Sequence, residues 1–148
     1  MAKGSSARRR DESEAPVSVR LEPALLSALR AQARRAGKPV SRVIREMLDE
    51  SLRMRRYPGI SFVEGPAGRR ARLAGTGLDV WEVIELLREY GSAAALREHF
   101  PRLPLIAIQV AEAYAREYRD DIDAFLEANA RAPEELRRKV PWLEVVRP

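Results

Sequence analysis

Residues 16–56 read PVSVRLEPALLSALRAQARRAGKPVSRVIREMLDESLRMRR, and this stretch decides the fold of the first part of the chain. Its opening residues Val17–Leu21 alternate between apolar and polar side chains. A period of two over five residues predicts a half-buried strand. No second strand follows in this stretch. The backbone donors and acceptors of the predicted strand therefore need a partner from elsewhere.

Two helices are predicted after the strand. Pro23 suits the first turn of a helix, and Gly37 suits the position just past a helix end. A second helix is predicted from Pro39 to about Arg56, before the Tyr-Pro-Gly sequence that follows. Its apolar residues recur at helical spacing and form one broad stripe: Val40, Val43, Ile44, Met47, Leu48 and Leu52.

A strand and two short helices cannot close a hydrophobic core around about 40 residues. Both this problem and the unpaired strand are solved if two copies of the chain join their strands into an antiparallel ribbon. We therefore expect a homodimer. Its shared core is expected to contain Val17, Val19, Leu21, Leu26, Leu29, Val43, Ile44, Met47 and Leu48.

The order of strand, proline-opened helix, glycine and second helix resembles the ribbon-helix-helix repressors, including the VapB-type antitoxins. Such a ribbon enters the DNA major groove, so the resemblance implies that Ser18 and Arg20 contact bases. It also implies phosphate contacts at the start of the second helix, from Lys38, Val40 and Ser41. Many relatives carry Ser or Thr where this chain has Pro39.

The charge is divided unevenly along the chain. Residues 1–56 contain 14 Lys and Arg against 7 Asp and Glu, whereas residues 57–148 contain 13 against 15. A basic first half suggests a polyanionic partner, although a basic face can also be simply solvated. Residues 1–15 have almost no apolar side chains and are expected to form a disordered tail. Within this tail Arg8, Arg9 and Arg10 are expected to contact DNA phosphates.

Residues 57–148 have a different pattern and are expected to form a second domain. Ile60–Val63 and Arg70–Leu73 flank a glycine-containing turn and predict a small hairpin. Helices are predicted after Asp79, after Ser92, from near Pro104, from Asp121 to Ala130, and after Pro133. Three of these have the proportions of a helix-turn-helix-like unit. The fold class expected for the whole chain is mainly α.

Several short motifs in this second part resemble domain-of-unknown-function family 433. They include Pro58-Gly59-Ile60, Leu73-Ala74-Gly75-Thr76, Val80-Trp81-Glu82-Val83 and Asp121-Ile122-Asp123, and the resemblance covers about residues 57–130. Proteins of that family often resemble antitoxins encoded beside PIN-type nuclease toxins. The resemblance therefore implies an antitoxin, which nothing in the periodicity indicates.

Toxin contacts are expected in the carboxyl-terminal third of the chain. A basic side chain there could block the acidic metal site of a PIN-type nuclease. The alternative for the apolar members of this group is that they pack on the chain's own core. The candidate toxin-binding residues are Arg131, Arg137, Arg138, Lys139, Trp142 and Leu143.

Catalytic chemistry is not expected. The chain has no cysteine, which excludes disulfides, zinc ribbons and a thiol nucleophile, and it has no cofactor motif. The acidic group Asp120, Asp121, Asp123 and Glu127 could bind a metal, but acids favoured by the dipole at a helix start are the preferred explanation. We expect no metal and no cofactor. With no signal peptide and no membrane-spanning apolar run, a cytoplasmic protein is expected.

Three functions are consistent with the sequence. The first is a type II antitoxin that binds operator DNA as a homodimer, represses its own operon and neutralises a PIN-type toxin. The second is a stand-alone ribbon-helix-helix transcriptional repressor. The third is a metal-dependent enzyme acting on nucleic acid through Asp120, Asp121 and Asp123.

Overall fold

The structure is a computed structural model that describes residues 16–65 and 68–139, with side chains up to residue 131. Over these residues it is mainly helical, with six helices and a two-stranded antiparallel sheet. The chain divides into two compact units, Met1–Glu46 and Met47–Pro148. The functional division expected between residues 56 and 57 stays a prediction.

The first unit is built around α1 (Pro23–Ala36) and the beginning of α2 (Val40–Arg56). Both helices were predicted, and their bounds are confirmed to within one residue. Gly37 ends α1 in the left-handed conformation, with φ of 63°, and its amide donates back to the carbonyls of Ala33 and Arg34. A side chain at this position would be strained, which explains why a glycine separates the helices.

The core of the first unit is small. Leu29 and Ala33 of α1 are buried against Val43 of α2. Leu21, Val40 and Ile44 are partly buried around them. Three buried side chains are far fewer than a stable domain of this length normally has.

The strand predicted over Val17–Leu21 is not formed within the single chain. Residues 16–22 have no regular secondary structure, and Val17 and Val19 are 88% and 72% exposed. A strand is held by hydrogen bonds to a neighbouring strand, and the described residues of this chain provide no such neighbour.

The second unit begins its sheet with β1 (Ile60–Val63) and β2 (Arg70–Leu73). The strands pair antiparallel, with Ile60 opposite Leu73, which confirms the predicted hairpin. The backbone amides and carbonyls of Gly65 and Gly68 bond to each other and close the turn. Four helices follow: α3 (Val80–Tyr90), α4 (Ala93–His99), α5 (Leu105–Glu117) and α6 (Arg119–Lys139).

The core of the second unit lies where α3 and α5 meet the sheet and α6. Its main cluster combines residues of the hairpin with Val80 and Val83 of α3 and Tyr114 of α5, all almost fully buried. A second cluster of Leu96, Leu103 and Ile108 joins α4 to α5. The fold of this unit is therefore supported by its own hydrophobic core.

The sequence prediction for the last helices is wrong. Pro133 was expected to end one helix and begin another, but α6 continues through it to Lys139. A proline in a helix removes one amide donor, so the carbonyl of Asn129 loses its usual partner. Ala, Glu, Leu and Arg on both sides of Pro133 are strong helix formers and oppose a break.

Among the described residues, none of the helices combines the length and apolar character that crossing a bilayer requires.

Candidate nucleic-acid interface

The two residues expected to contact bases lie in the segment before α1. Ser18 and Arg20 are both exposed, and both belong to the residues without regular secondary structure. Leu21 is partly buried against the α1–α2 core, so this segment is anchored at its carboxyl-terminal end. Both side chains are therefore accessible to a ligand in the single chain.

The expected phosphate contacts lie at the start of α2. Val40 is half-buried and Ser41 is exposed, and they are the first two helical residues. The carbonyl of Pro39 accepts from the amides of Arg42 and Val43, whereas amides at the first helical positions have no carbonyl to bond within the helix. The beginning of α2 thus has the donor arrangement that favours an anion.

Lys38 is held by an acid that the sequence analysis missed. Its Nζ lies 2.8 Å from Oε2 of Glu46, and Nε of Arg42 lies 3.0 Å from Oε1 of the same carboxylate. The hydrogen bond from Lys38, followed by that from Arg42, lowers the pKa of Glu46 below its ordinary value of 4.5. The four-residue spacing of Arg42 and Glu46 was a signal that could have identified this pair.

The residues expected in a dimer core fall into three groups by burial. Leu29 and Val43 are buried within the single chain. Three more are half-buried: Leu21, Leu26 and Ile44. The remaining four are exposed: Val17, Val19, Met47 and Leu48. Leu52, one helical turn beyond Leu48, is exposed too, so α2 carries an apolar stripe that the described residues leave open to solvent.

The expected toxin-binding residues lie at the end of the described chain or beyond it. Arg131 is exposed and pairs with Glu127 one turn earlier on α6, at 3.1 Å. Arg137, Arg138 and Lys139 belong to α6, but their side chains are not described. Trp142 and Leu143 lie outside the described residues, as do Arg8, Arg9 and Arg10.

Asp79 is the one buried charged residue of the described chain. It is the N-cap of α3, as predicted, and its amide donates to the side chain of Glu82 at 2.7 Å. Its carboxylate also accepts from Arg70 and Arg72, both on β2, which the sequence did not indicate. The side chains of Arg70 and Arg72 alternate with apolar ones in β2, and this alternation does not indicate which acid they contact. This group ties the hairpin to α3.

Arg53 is the centre of a second cluster that the sequence analysis missed. Its guanidinium donates to Tyr114 at 3.0 Å and to Asp121 at 2.6 Å, and it lies 3.9 Å from the centre of the Tyr118 ring. Burial alone would lower the pKa of Arg53, but the hydrogen bonds to Asp121 and Tyr114 raise it above its ordinary value. These contacts hold the last turns of α2 to α5 and α6.

The acidic group considered as a metal site is used in ion pairs. Asp121 contacts Arg53, and Asp123 lies 3.5 Å from Arg88. Asp120 and Asp121 occupy the first turn of α6, where acids favour the helix dipole. In the described part of the chain, no group of three or more His, Cys, Asp or Glu residues is arranged to hold a metal ion.

Residues 60–115 match the model of a family described as Protein of unknown function (DUF433). This match supports the resemblance of the second part of the chain to that family. It covers both strands of the hairpin, α3, α4 and all but the last two residues of α5. No curated protein and no solved structure matches the chain.

Proposed function

We propose that the chain is a type II antitoxin whose residues 16–56 bind operator DNA as a ribbon-helix-helix homodimer. The dimer represses its own operon, and the carboxyl-terminal third binds and neutralises a PIN-type nuclease. The observation that carries the DNA-binding part is the apolar stripe of α2 together with the exposed apolar residues before α1. Both are apolar surfaces exposed to solvent, and a second copy of the chain is expected to bury them.

The exposed residues match the surface that a ribbon would bury. Val17 and Val19 alternate with Ser18 and Arg20, so pairing two such segments places the valines on one face of the ribbon. Leu48 and Leu52 of α2 are 60% and 66% exposed and would join the same shared core. Burying such side chains contributes about 1.5 to 3 kcal/mol each.

The opposite face of the ribbon supplies the contacts to DNA. It presents Ser18 and Arg20 from each copy, and a two-stranded ribbon fits the major groove. The beginning of α2, with the Val40 and Ser41 amides and the Lys38 ammonium nearby, would contact a phosphate on either side. The excess of basic residues in residues 1–56 is consistent with a polyanionic partner.

The second unit is better suited to contacts with protein. The helices α3, α4 and α5 correspond to the predicted helix-turn-helix-like unit, but its third helix, α5, begins with Leu105 and Ile106 exposed. The one basic residue in its last turn is Arg116. An apolar, weakly charged helix is expected to bind a protein surface rather than phosphates.

The stand-alone repressor is the second candidate. It shares the DNA-binding residues 16–56, but its second part only adds dimer or ligand contacts and binds no toxin. Co-expression with the product of the adjacent gene separates the two candidates. A stable complex supports the antitoxin, and DNA binding without such a partner supports the repressor.

The test of the DNA-binding part is Leu48→Glu, because Leu48 is exposed in the single chain and its substitution should not disturb the fold. The matched control is Ile106→Glu, on an equally exposed apolar residue of α5. Leu48→Glu is expected to produce a monomer in sedimentation and to reduce operator affinity at least a hundredfold. The control is expected to remain dimeric and to bind DNA. A dimeric Leu48→Glu variant with full affinity would contradict the proposal.

A further inference from the structure

An apolar groove lies between the loop before α3 and the turn that joins α4 to α5. Leu78, Phe100, Pro101 and Leu103 form its apolar wall, and its volume is about 540 Å³. Phe100 is 39% exposed. This volume lies within the range of about 300 to 1,000 Å³ that is typical of pockets for small molecules, which are comparable in size to one or two large side chains.

The carboxyl-terminal part of α6 runs toward the beginning of α3, and the groove lies next to that end of α3. Asp123 lies 3.5 Å from Arg88, and six residues further along α6 Asn129 lies 3.2 Å from Glu85, which is earlier in α3. The two helices are therefore antiparallel. Following α6 forward leads to the beginning of α3, and Leu78 comes just before that helix.

The length of the remaining chain is sufficient to reach the groove. From Asn129 to Lys139, α6 extends about 15 Å, whereas α3 from Glu85 back to Val80 covers only about 7 Å. The helix therefore ends beyond the beginning of α3. Residues 140–148 follow, and nine residues can span up to about 30 Å.

The composition of residues 140–148 suits the groove. Their sequence, VPWLEVVRP, is mainly apolar and includes Trp142 and Leu143. Its one acid, Glu144, follows these two directly, and the groove has Arg102 at its rim. Arg102 is exposed and forms no ion pair with any described residue.

We propose that residues 140–146 fold back from the end of α6 and bind in this groove, with Trp142 or Leu143 against Phe100 and Leu103, and Glu144 beside Arg102. The occupant of the groove is thus the chain's own carboxyl-terminal segment. This interaction requires neither DNA nor a toxin. It takes the alternative given for Trp142 and Leu143, that they pack on the chain's own core, and leaves toxin binding to the basic residues of the carboxyl-terminal third.

The test uses the full chain, which has no native cysteine and two tryptophans. A spin label on Arg102→Cys is placed at the groove; it removes the pair with Glu144 but leaves the apolar wall that is expected to hold Trp142. A matched label on Arg88→Cys is placed on the distal part of α3. Nitrogen-15 labelling of the indoles gives two signals, and Trp142→Phe identifies that of Trp142. The label at residue 102 is expected to remove most of the Trp142 signal, and the label at residue 88 to leave it largely intact.

Two further measurements make the result decisive. Phe100→Glu, combined with the label at residue 102, is expected to restore the Trp142 signal, because Phe100 is exposed enough to be replaced without unfolding the unit. A mixture of nitrogen-15 chains without label and spin-labelled chains without nitrogen-15 reports contacts between copies. Signal loss in the mixture as strong as in the single labelled chain would mean that another copy fills the groove and would overturn the proposal. An unaffected Trp142 signal, or equal loss from both label positions, would overturn it as well.

Discussion

Lys38 and Glu46 form an ion pair of 2.8 Å beside the first turn of α2, and Arg42 contacts the same carboxylate. The pair brings a negative charge to the surface where the proposed function needs a phosphate. Glu46 keeps Lys38 in place but also neutralises part of its charge. Affinity for DNA at this surface is therefore expected to be below the value that the cations alone would provide.

Replacing Glu46 with Gln should strengthen DNA binding. Lys38 and Arg42 would both be released for phosphates, and each additional phosphate contact adds about 0.9 to the slope of log affinity against log salt. Fluorescence anisotropy over a salt series measures both quantities. Glu112→Gln, an exposed acid of α5, changes the net charge equally and serves as the control. An equal gain from the control would show a general effect of charge and contradict a local role.

The pKa of the Glu46 carboxyl should report on its contact with Lys38. The pKa is lowered in the folded chain, so the stability that Glu46 contributes is present above pH 4.5 and is lost as the pH falls through its folded pKa. Lys38→Met removes the largest cause of the shift and should raise this pKa toward its ordinary value. Carbon-13 NMR titration of the Glu46 carboxyl measures the change. An unchanged titration would contradict the contact.

Asp79→Ala should destabilise the second unit strongly. The substitution removes the N-cap of α3 and leaves Arg70 and Arg72 without their common acid, and breaking such a buried pair costs about 3 kcal/mol or more. Urea unfolding followed by circular dichroism measures the loss. Glu127→Ala removes an acid from an exposed pair on α6 and should cost less than about 0.5 kcal/mol. Equal losses would show that the burial of Asp79 has no energetic importance.

Tyr114→Phe should reveal the strength of the Arg53 cluster. Burial raises the pKa of the Tyr114 hydroxyl, which therefore remains protonated and accepts from Arg53. Losing a hydrogen bond to a charged group costs about 1.5 kcal/mol. Tyr90→Phe is the control, because among the described residues the Tyr90 hydroxyl has no hydrogen bond. Urea unfolding measures the loss of unfolding free energy in each variant. A difference between the two losses below about 0.5 kcal/mol would contradict the assigned contact.

Most elements could be predicted because their signals are local. Pro23, Gly37, Asp79 and Ser92 mark helix ends by their backbone preferences, and alternation marked the hairpin. The helix boundary predicted at Pro133 was wrong because the neighbours of this proline have strong helix propensity. The strand predicted at Val17–Leu21 has a clear alternating pattern. A strand forms only beside a partner strand, and the described residues of a single chain provide none for it.

The candidate site was predictable only in part. Ser18, Arg20 and Ser41 were assigned by resemblance to the ribbon-helix-helix family; all three are exposed, and their contact with DNA stays a prediction. Glu46 and the Arg53 cluster were missed because ion pairs depend on which surfaces meet in three dimensions. Arg53 and Tyr114 are 61 residues apart, and no sequence spacing indicates such a contact. Local patterns therefore predict elements better than they predict the acids that balance a basic surface.

The small core of the first unit has a thermodynamic consequence. If a second copy covers the exposed apolar residues of this unit, Val17 and Val19 among them, dissociation and unfolding of the unit become one equilibrium governed by mass action. Its melting temperature should rise with total protein concentration, whereas that of the second unit, with its own buried core, should not. Dilution would then release operator DNA, because the unit that binds it would dissociate and unfold. The amount of protein in the cell would thereby become the signal to which its operon responds.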